Sequence, residues 1–151
     1  GKCFVHEGGI RVPAIFTWPN RIKKGSESNH ISAFQDVMPT LAELLNLECP
    51  PTDGISFLPT LMGETQNQEE HPYLYWEYPD ETIGMKAIRM GRWKGIISNI
   101  RKGNQTMELF DLDKDVTEET DVANEHPEIV RQLYQLMDEA RVQSDNPNFN
   151  F

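Results

Sequence analysis

The sequence predicts an α+β arrangement over its 151 residues: a small four-stranded antiparallel sheet packed with a C-terminal helix, preceded by a loop, a strand and a helix. Three observations predict it. Between Tyr73 and Leu112, four runs of β-preferring residues alternate with turn residues. From Pro127 to Ala140 the apolar residues recur at helical spacing. Ahead of both, a glycine-hinged loop feeds an apolar run, as a loop held beside a sheet would.

The opening loop is Gly1-Lys2-Cys3-Phe4-Val5-His6-Glu7-Gly8-Gly9-Ile10-Arg11-Val12-Pro13. Gly8 and Gly9 can take positive φ or admit a close backbone, and Pro13 fixes the entry to the next element. That element, Ala14 to Trp18, reads as a buried strand ended by Pro19-Asn20. After a polar loop, Asp36 stands as the N-cap of a helix with Pro39 in its first turn, and Val37, Leu41, Leu44 and Leu45 share one face. Cys49 to Gly54 is a dense turn signal, and Ile55 to Leu61 is a short apolar stretch closed by Gly63. The polar segment 64–70 has no apolar period, which places a linker at 63–70 between parts 1–62 and 71–151.

Beyond it, Tyr73 to Tyr78 is the first strand, and Met85 to Met90 with Trp93 to Ile97 forms a hairpin turned by Gly91. Arg101 to Asn104 turns the chain again, and Met107 to Leu112 is the fourth strand. Pro127 then opens a helix whose apolar stripe is Ile129, Val130, Leu133, Leu136, Met137 and Ala140, which would cover one face of the sheet.

Charge narrows the function. The net charge is −10, with −1 in residues 1–62 and −9 in residues 63–151. Nucleic-acid binders and anionic-membrane binders need a basic footprint, so neither is expected as a partner. Two cysteines, Cys3 and Cys49, are too few for a disulfide framework or a metal cluster, and two free thiols are expected rather than one bridge. No apolar run approaches the ~20 residues that cross a bilayer. The chain has no opening methionine and begins on a loop, so it is expected to be part of a longer protein.

Several clusters invite a site and lose it on spacing. Asp111, Asp113, Asp115 and Glu118 resemble the start of a calcium loop, but Val116 and Val122 occupy its glycine and glutamate positions, leaving a solvated acidic loop. The four histidines show no zinc spacing. Tyr73, Tyr75, Trp76, Tyr78 and Trp93 could stack on sugars, although strand alternation turns about half inward, Trp76 and Trp93 among them. Lys2 is the sharpest candidate: an ammonium five residues before Glu7, in a hinged loop, able to donate to an anion.

Taken together, Gly1-Lys2 with Glu7-Gly8-Gly9-Ile10-Arg11-Val12-Pro13, Trp18-Pro19, Asp36-x-x-Pro39-Thr40-Leu41, Asp53-Gly54, Tyr75-Trp76-Glu77, Ala87-x-Arg89-x-Gly91-x-Trp93-Lys94, Glu108 to Leu112 and His126-Pro127-Glu128 resemble the C-terminal part of a sulfatase. The type is the arylsulfatase of the alkaline-phosphatase-like superfamily. The resemblance implies that 1–62 closes a large α/β catalytic domain and that 71–151 is its small C-terminal subdomain. It implies hydrolysis of a small-molecule or glycan sulfate ester, with Lys2 holding a sulfate oxygen and offsetting charge as the S–O bond breaks. His6 and His71 are candidate substrate contacts.

The family's nucleophile is a formylglycine made within a Cys/Ser-x-Pro/Ala-x-Arg motif, beside a calcium ion. Neither Cys3 to Glu7 nor Cys49 to Asp53 fits that motif, so both cofactors are expected from residues outside this sequence, which alone would be inactive. The partners implied are the sulfate ester and the rest of the catalytic domain. The compartment implied is periplasmic, secreted or lysosomal. Departures from the family pattern fall at His6, at Asp115-Val116 and at Asp121-Val122-Ala123. A carbohydrate-binding or purely structural capping subdomain is the alternative, and the first of these requires Tyr73, Tyr75 and Tyr78 to face solvent together.

Overall fold

The computed structural model describes residues 4–150. They form two compact units. One joins the residues up to Val12 with those from Pro72 onward, and the other runs Pro13–His71.

The first unit is built on strands β1 (Leu74–Tyr78), β2 (Met85–Met90), β3 (Trp93–Ser98) and β4 (Glu108–Asp111), in the order β1-β2-β3-β4. Every neighbouring pair is antiparallel. Gly91, at φ +58°, makes the tight β2–β3 turn that the sequence predicts. Alternation along the strands divides the side chains between two faces. One face carries Ile88, Ile97 and Leu109 against Leu133 and Met137 of the C-terminal helix α4 (Pro127–Ala140). Gly95 of β3 has room for no more than hydrogen on this face, since a Cβ there would stand 2.4 Å from Met107 Sδ and 3.1 Å from Leu133 Cδ1. The other face carries Met85, Ala87, Ile96, Phe110 and Leu112, and Val5 of the opening segment packs onto it.

That segment continues into a single helical turn, α1 (Glu7–Ile10), entered at His6, whose carbonyl accepts the N–H groups of Gly9 and Ile10. Gly8 and Gly9 lie inside this turn, and neither takes positive φ.

The second unit contains α2 (Val37–Leu45) and α3 (Leu58–Met62). Asn46 and Gly63 end them in the left-handed conformation, the usual way a helix closes. Asp36 is the residue before α2, as predicted, but its carboxylate caps nothing within the helix. Leu41 and Leu45 are exposed, and the buried position of the helix is Thr40. The strand expected at Ala14 to Trp18 does not form: the segment is irregular, and Ile15 is 91% exposed. A strand needs neighbours to take up its backbone groups, and an apolar β-branched run without them gains nothing from the extended ladder.

Candidate functional site

The two most specific motifs of the sequence meet in the first unit, around the ammonium of Lys94. The β2–β3 register sets Arg89 directly opposite Lys94, two like charges on neighbouring strands. Such a pair is unfavourable unless an anion lies between them, and α1 supplies it. Glu7 Oε1 accepts a hydrogen bond from Lys94 Nζ at 2.8 Å, and its Oε2 is 3.8 Å from Arg89 and 3.5 Å from Arg11.

A second carboxylate closes the arrangement. Glu118 Oε2 accepts the backbone N–H of Glu7 at 2.7 Å. Its Oε1 stands 2.7 Å from Lys94 Nζ, at ion-pair distance but outside hydrogen-bonding angles. The Lys94 side chain is wholly buried and Glu118 nearly so. A buried lysine with one missing partner would bear a desolvation cost of several kcal/mol, so the three charges stand or fall together.

Glu118 belongs to the acidic run that reads as solvated in the sequence, and the structure corrects that reading. Its backbone takes φ +58°, uncommon for a residue with a side chain. The loop beneath it is stiff: Asp115 accepts the N–H groups of Glu119 and Thr120 and the hydroxyl of Thr117. These bonds, that from Thr120 foremost, hold the Asp115 carboxyl below the usual carboxylate range. Asp111, in turn, is engaged by Arg92 at 3.3 Å and Lys114 at 3.7 Å. Among the described residues no group of three or more His, Cys, Asp and Glu side chains is disposed to hold a metal ion.

In the second unit the hub is Asp36, which is fully buried. Its Oδ2 accepts the N–H of Ala33 at 2.6 Å, while Oδ1 accepts that of Ile55 at 2.8 Å and lies 2.8 Å from Nε2 of His71. Thr40 repeats the device one turn on, its hydroxyl donating to the Asp36 carbonyl and accepting the N–H of Phe57. The Asp36-x-x-Pro-Thr and Asp53-Gly54 motifs are therefore two sides of one junction. Gly54 passes so close to Gln35 that a Cβ would lie 2.2 Å from its carbonyl oxygen. Near this hub, burial lowers the pKa of His30, an effect that the carboxylates of Asp36 and Glu70 oppose and His71 reinforces. An open cleft of about 600 Å³ is lined in part by Phe16, Lys23, His30, Phe57 and Thr60, and includes neither His6 nor His71.

Lys2 and Cys3 lie outside the described residues. His6 starts α1, with its ring edge-on to Phe4 at 6.2 Å. His71 is spent on Asp36 through Nε2. The tyrosines do not form one platform: Tyr73 and Tyr75 pack toward the α4 face, Tyr78 toward the other. Trp76 and Trp93, expected in the core, are half-buried, and the Arg92 guanidinium and the His126 ring each stand 4.6 Å from the Trp93 ring.

Comparison with known proteins decides the family. Residues 1–143 match the family described as N-sulphoglucosamine sulphohydrolase, C-terminal. The chain belongs to this sulfatase family. Human arylsulfatase A is 30% identical over 160 residues, which cover 90% of this chain and 31% of that protein. The N-acetylgalactosamine-6-O-sulfatase of Bacteroides thetaiotaomicron is 30% identical over 155 residues, 93% of this chain and 29% of the relative. Among solved structures, BT4656 in complex with its substrate D-glucosamine-2-N,6-O-disulfate superposes with a TM-score of 0.66 at 25% identity, over 88% of this chain and 28% of that one. The chain thus spans about a third of the length of these proteins, and its sheet and helices match the fold of the solved structure. No helix among the described residues is long and apolar enough to cross a membrane.

Sequence reasoning missed Lys94 and Glu118. The signal for Lys94 was present: a lysine facing inward between apolar residues of a central strand, opposite a second cation across a two-residue turn. Glu118 had none, because its neighbours are acidic and its burial depends on α1, 111 residues away.

Proposed function

We propose that the whole protein hydrolyses sulfate esters of glycans and that this chain contributes Lys2 as the group that holds a sulfate oxygen. The observation that supports the reading is the anchored Glu7. The segment that carries Lys2 in sequence is fixed to the sheet five residues downstream by Lys94 and Glu118. A cation that must meet a small anion at one distance needs such a foundation, because its value lies in charge placed before the reaction begins. The relatives that act on sulfated sugars support a glycan substrate, as does the amino-sugar disulfate held by one similar structure.

In this reading residues 1–62 complete the catalytic domain, 63–70 link, and 71–151 form the subdomain. His6 and His71 are the further substrate contacts of this reading, His71 with its Nε2 engaged by Asp36. In this reading the family's formylglycine and calcium would be held by other residues of the whole protein. Formylglycine would supply the attacking oxygen. What Lys2 adds is a fixed positive charge facing the sulfate as the ester oxygen departs.

The test is Lys2→Ala in the intact protein, read as sulfate released from a 6-O-sulfated amino sugar. Turnover is expected to fall by on the order of 10²-fold or more, the cost of losing a charge-stabilising donor. Turnover within twofold of the unsubstituted protein would remove Lys2 from the site.

A further inference from the structure

We infer that Lys94 and Glu118 are positioning residues for the loop that carries Lys2. They act through Glu7 and touch no substrate, and the inference rests on the reading of Lys2 as the sulfate-holding group.

Three features point this way. Glu7 is held at both its carboxylate and its backbone: Lys94, Arg89 and Arg11 surround the carboxylate, while Glu118 accepts the N–H. Fixing both ends of one residue sets its direction as well as its location, which matters for chain leaving it toward a site. The device is also an expensive way to obtain stability alone. One buried lysine and two buried carboxylates could give way to apolar side chains at little or no cost in stability, and the best-attested use of such groups is to fix a register. Finally, Glu118 reaches its place only through a left-handed backbone, and strain of that kind persists where its surroundings over-determine it, often beside functional sites.

The contacts join segments separated by 87 and 111 residues, so the opening loop is tied to the middle of the sheet and to the loop after β4. A catalytic cation tolerates about 0.5 Å of displacement. Loosening Glu7 would therefore appear first in turnover.

The experiment is a double-substitution cycle in the intact protein, with Lys94→Met made alone and together with Lys2→Ala. If Lys94 acts through the loop, Lys94→Met alone lowers kcat on a sulfate ester by up to ~10²-fold, the cost of a misplacement near 1 Å. It then changes kcat less than about twofold once Lys2 is already alanine, because the group it positions is gone. An equal loss in both backgrounds, or no loss in either, overturns the proposal. Because Lys94→Met strands two buried carboxylates, the same cycle is run with the neutral trio Glu7→Gln, Lys94→Met and Glu118→Gln, with folding checked by thermal unfolding. A trio that does not fold makes the cluster a folding element and also overturns the proposal. If the unsubstituted protein releases no sulfate, or Lys2→Ala leaves turnover intact, the functional reading fails and takes the inference with it. A loss at Lys2 without coupling to Lys94 sinks the inference alone.

Discussion

At the scale of single residues, this chain uses buried carboxylates as connectors. Glu7 joins the opening turn to β3, and Asp36 joins the start of α2 to Ile55 and His71. Each is acceptable in the interior because N–H donors or cations meet its oxygens from several directions, which offsets the loss of water. The connection at Asp36 depends on a glycine. With Gly54 against the Gln35 carbonyl, the chain runs close enough for the Ile55 N–H to reach Oδ1. Gly54→Ala puts a methyl group 2.2 Å from a backbone oxygen that cannot rotate away, so the two strands of chain must part. The expected cost is about 1–3 kcal/mol from overpacking alone, with more if the Ile55 bond breaks. Urea unfolding followed by circular dichroism measures it, and an unchanged midpoint would show that this junction is looser than its geometry.

At the scale of elements, the helix and the sheet are joined by a polar pin as well as by apolar packing. The hydroxyl of Tyr134 on α4 accepts the N–H of Met107 at 2.9 Å and donates to the carbonyl of Gln105 at 2.5 Å, holding the start of β4 under the helix. Tyr134→Phe keeps the ring and removes both bonds. A loss of roughly 1–3 kcal/mol is expected, because a partly buried N–H is left without its acceptor. A thermal midpoint unchanged within error would mean that water takes over both groups. The elements themselves were legible where a period was long enough to read. The predicted stripe of α4 contains Leu133 and Met137, the two residues the helix buries, and the Gly91 turn predicted the pairing of β2 with β3. Ala14 to Trp18 was misread because residue type reports β preference while pairing needs a neighbour. The site was half legible for a related reason. Both motifs that form it stand out in the sequence, but their meeting is a long-range fact. Only the Arg89–Lys94 pairing, two cations across one hairpin, says locally that an anion must arrive from elsewhere.

At the scale of the whole molecule, pH moves two opposing balances. The net charge of −10 means that mild acid relieves self-repulsion and favours the folded state. His30 works against this. Burial lowers its pKa on folding, despite the carboxylates of Asp36 and Glu70, so below the ordinary value near 6.5 the unfolded chain binds the proton more readily. Stability from this group is therefore complete above about pH 6.5 and is lost as pH falls from there toward the lowered folded value. Asp80 and Asp115 also have lowered pKa values, Asp80 chiefly through the hydroxyl of Thr82 and Asp115 through the N–H of Thr120. Their contribution is present above the ordinary carboxylate value near 4 and disappears only below it, well clear of the histidine window. The two balances separate in salt. At about 1 M the Debye length is near 3 Å, so the repulsion among surface charges is screened while the desolvation of a partly buried imidazole is not. Under those conditions, lowering the pH from 7.5 to 5 is expected to reduce the thermal midpoint of the native sequence more than that of His30→Gln, the difference opening below about pH 6.5. A gap between the two proteins that stays constant across that range would show that His30 is hydrated alike in the folded and unfolded states, and the acid sensitivity would then belong to another group.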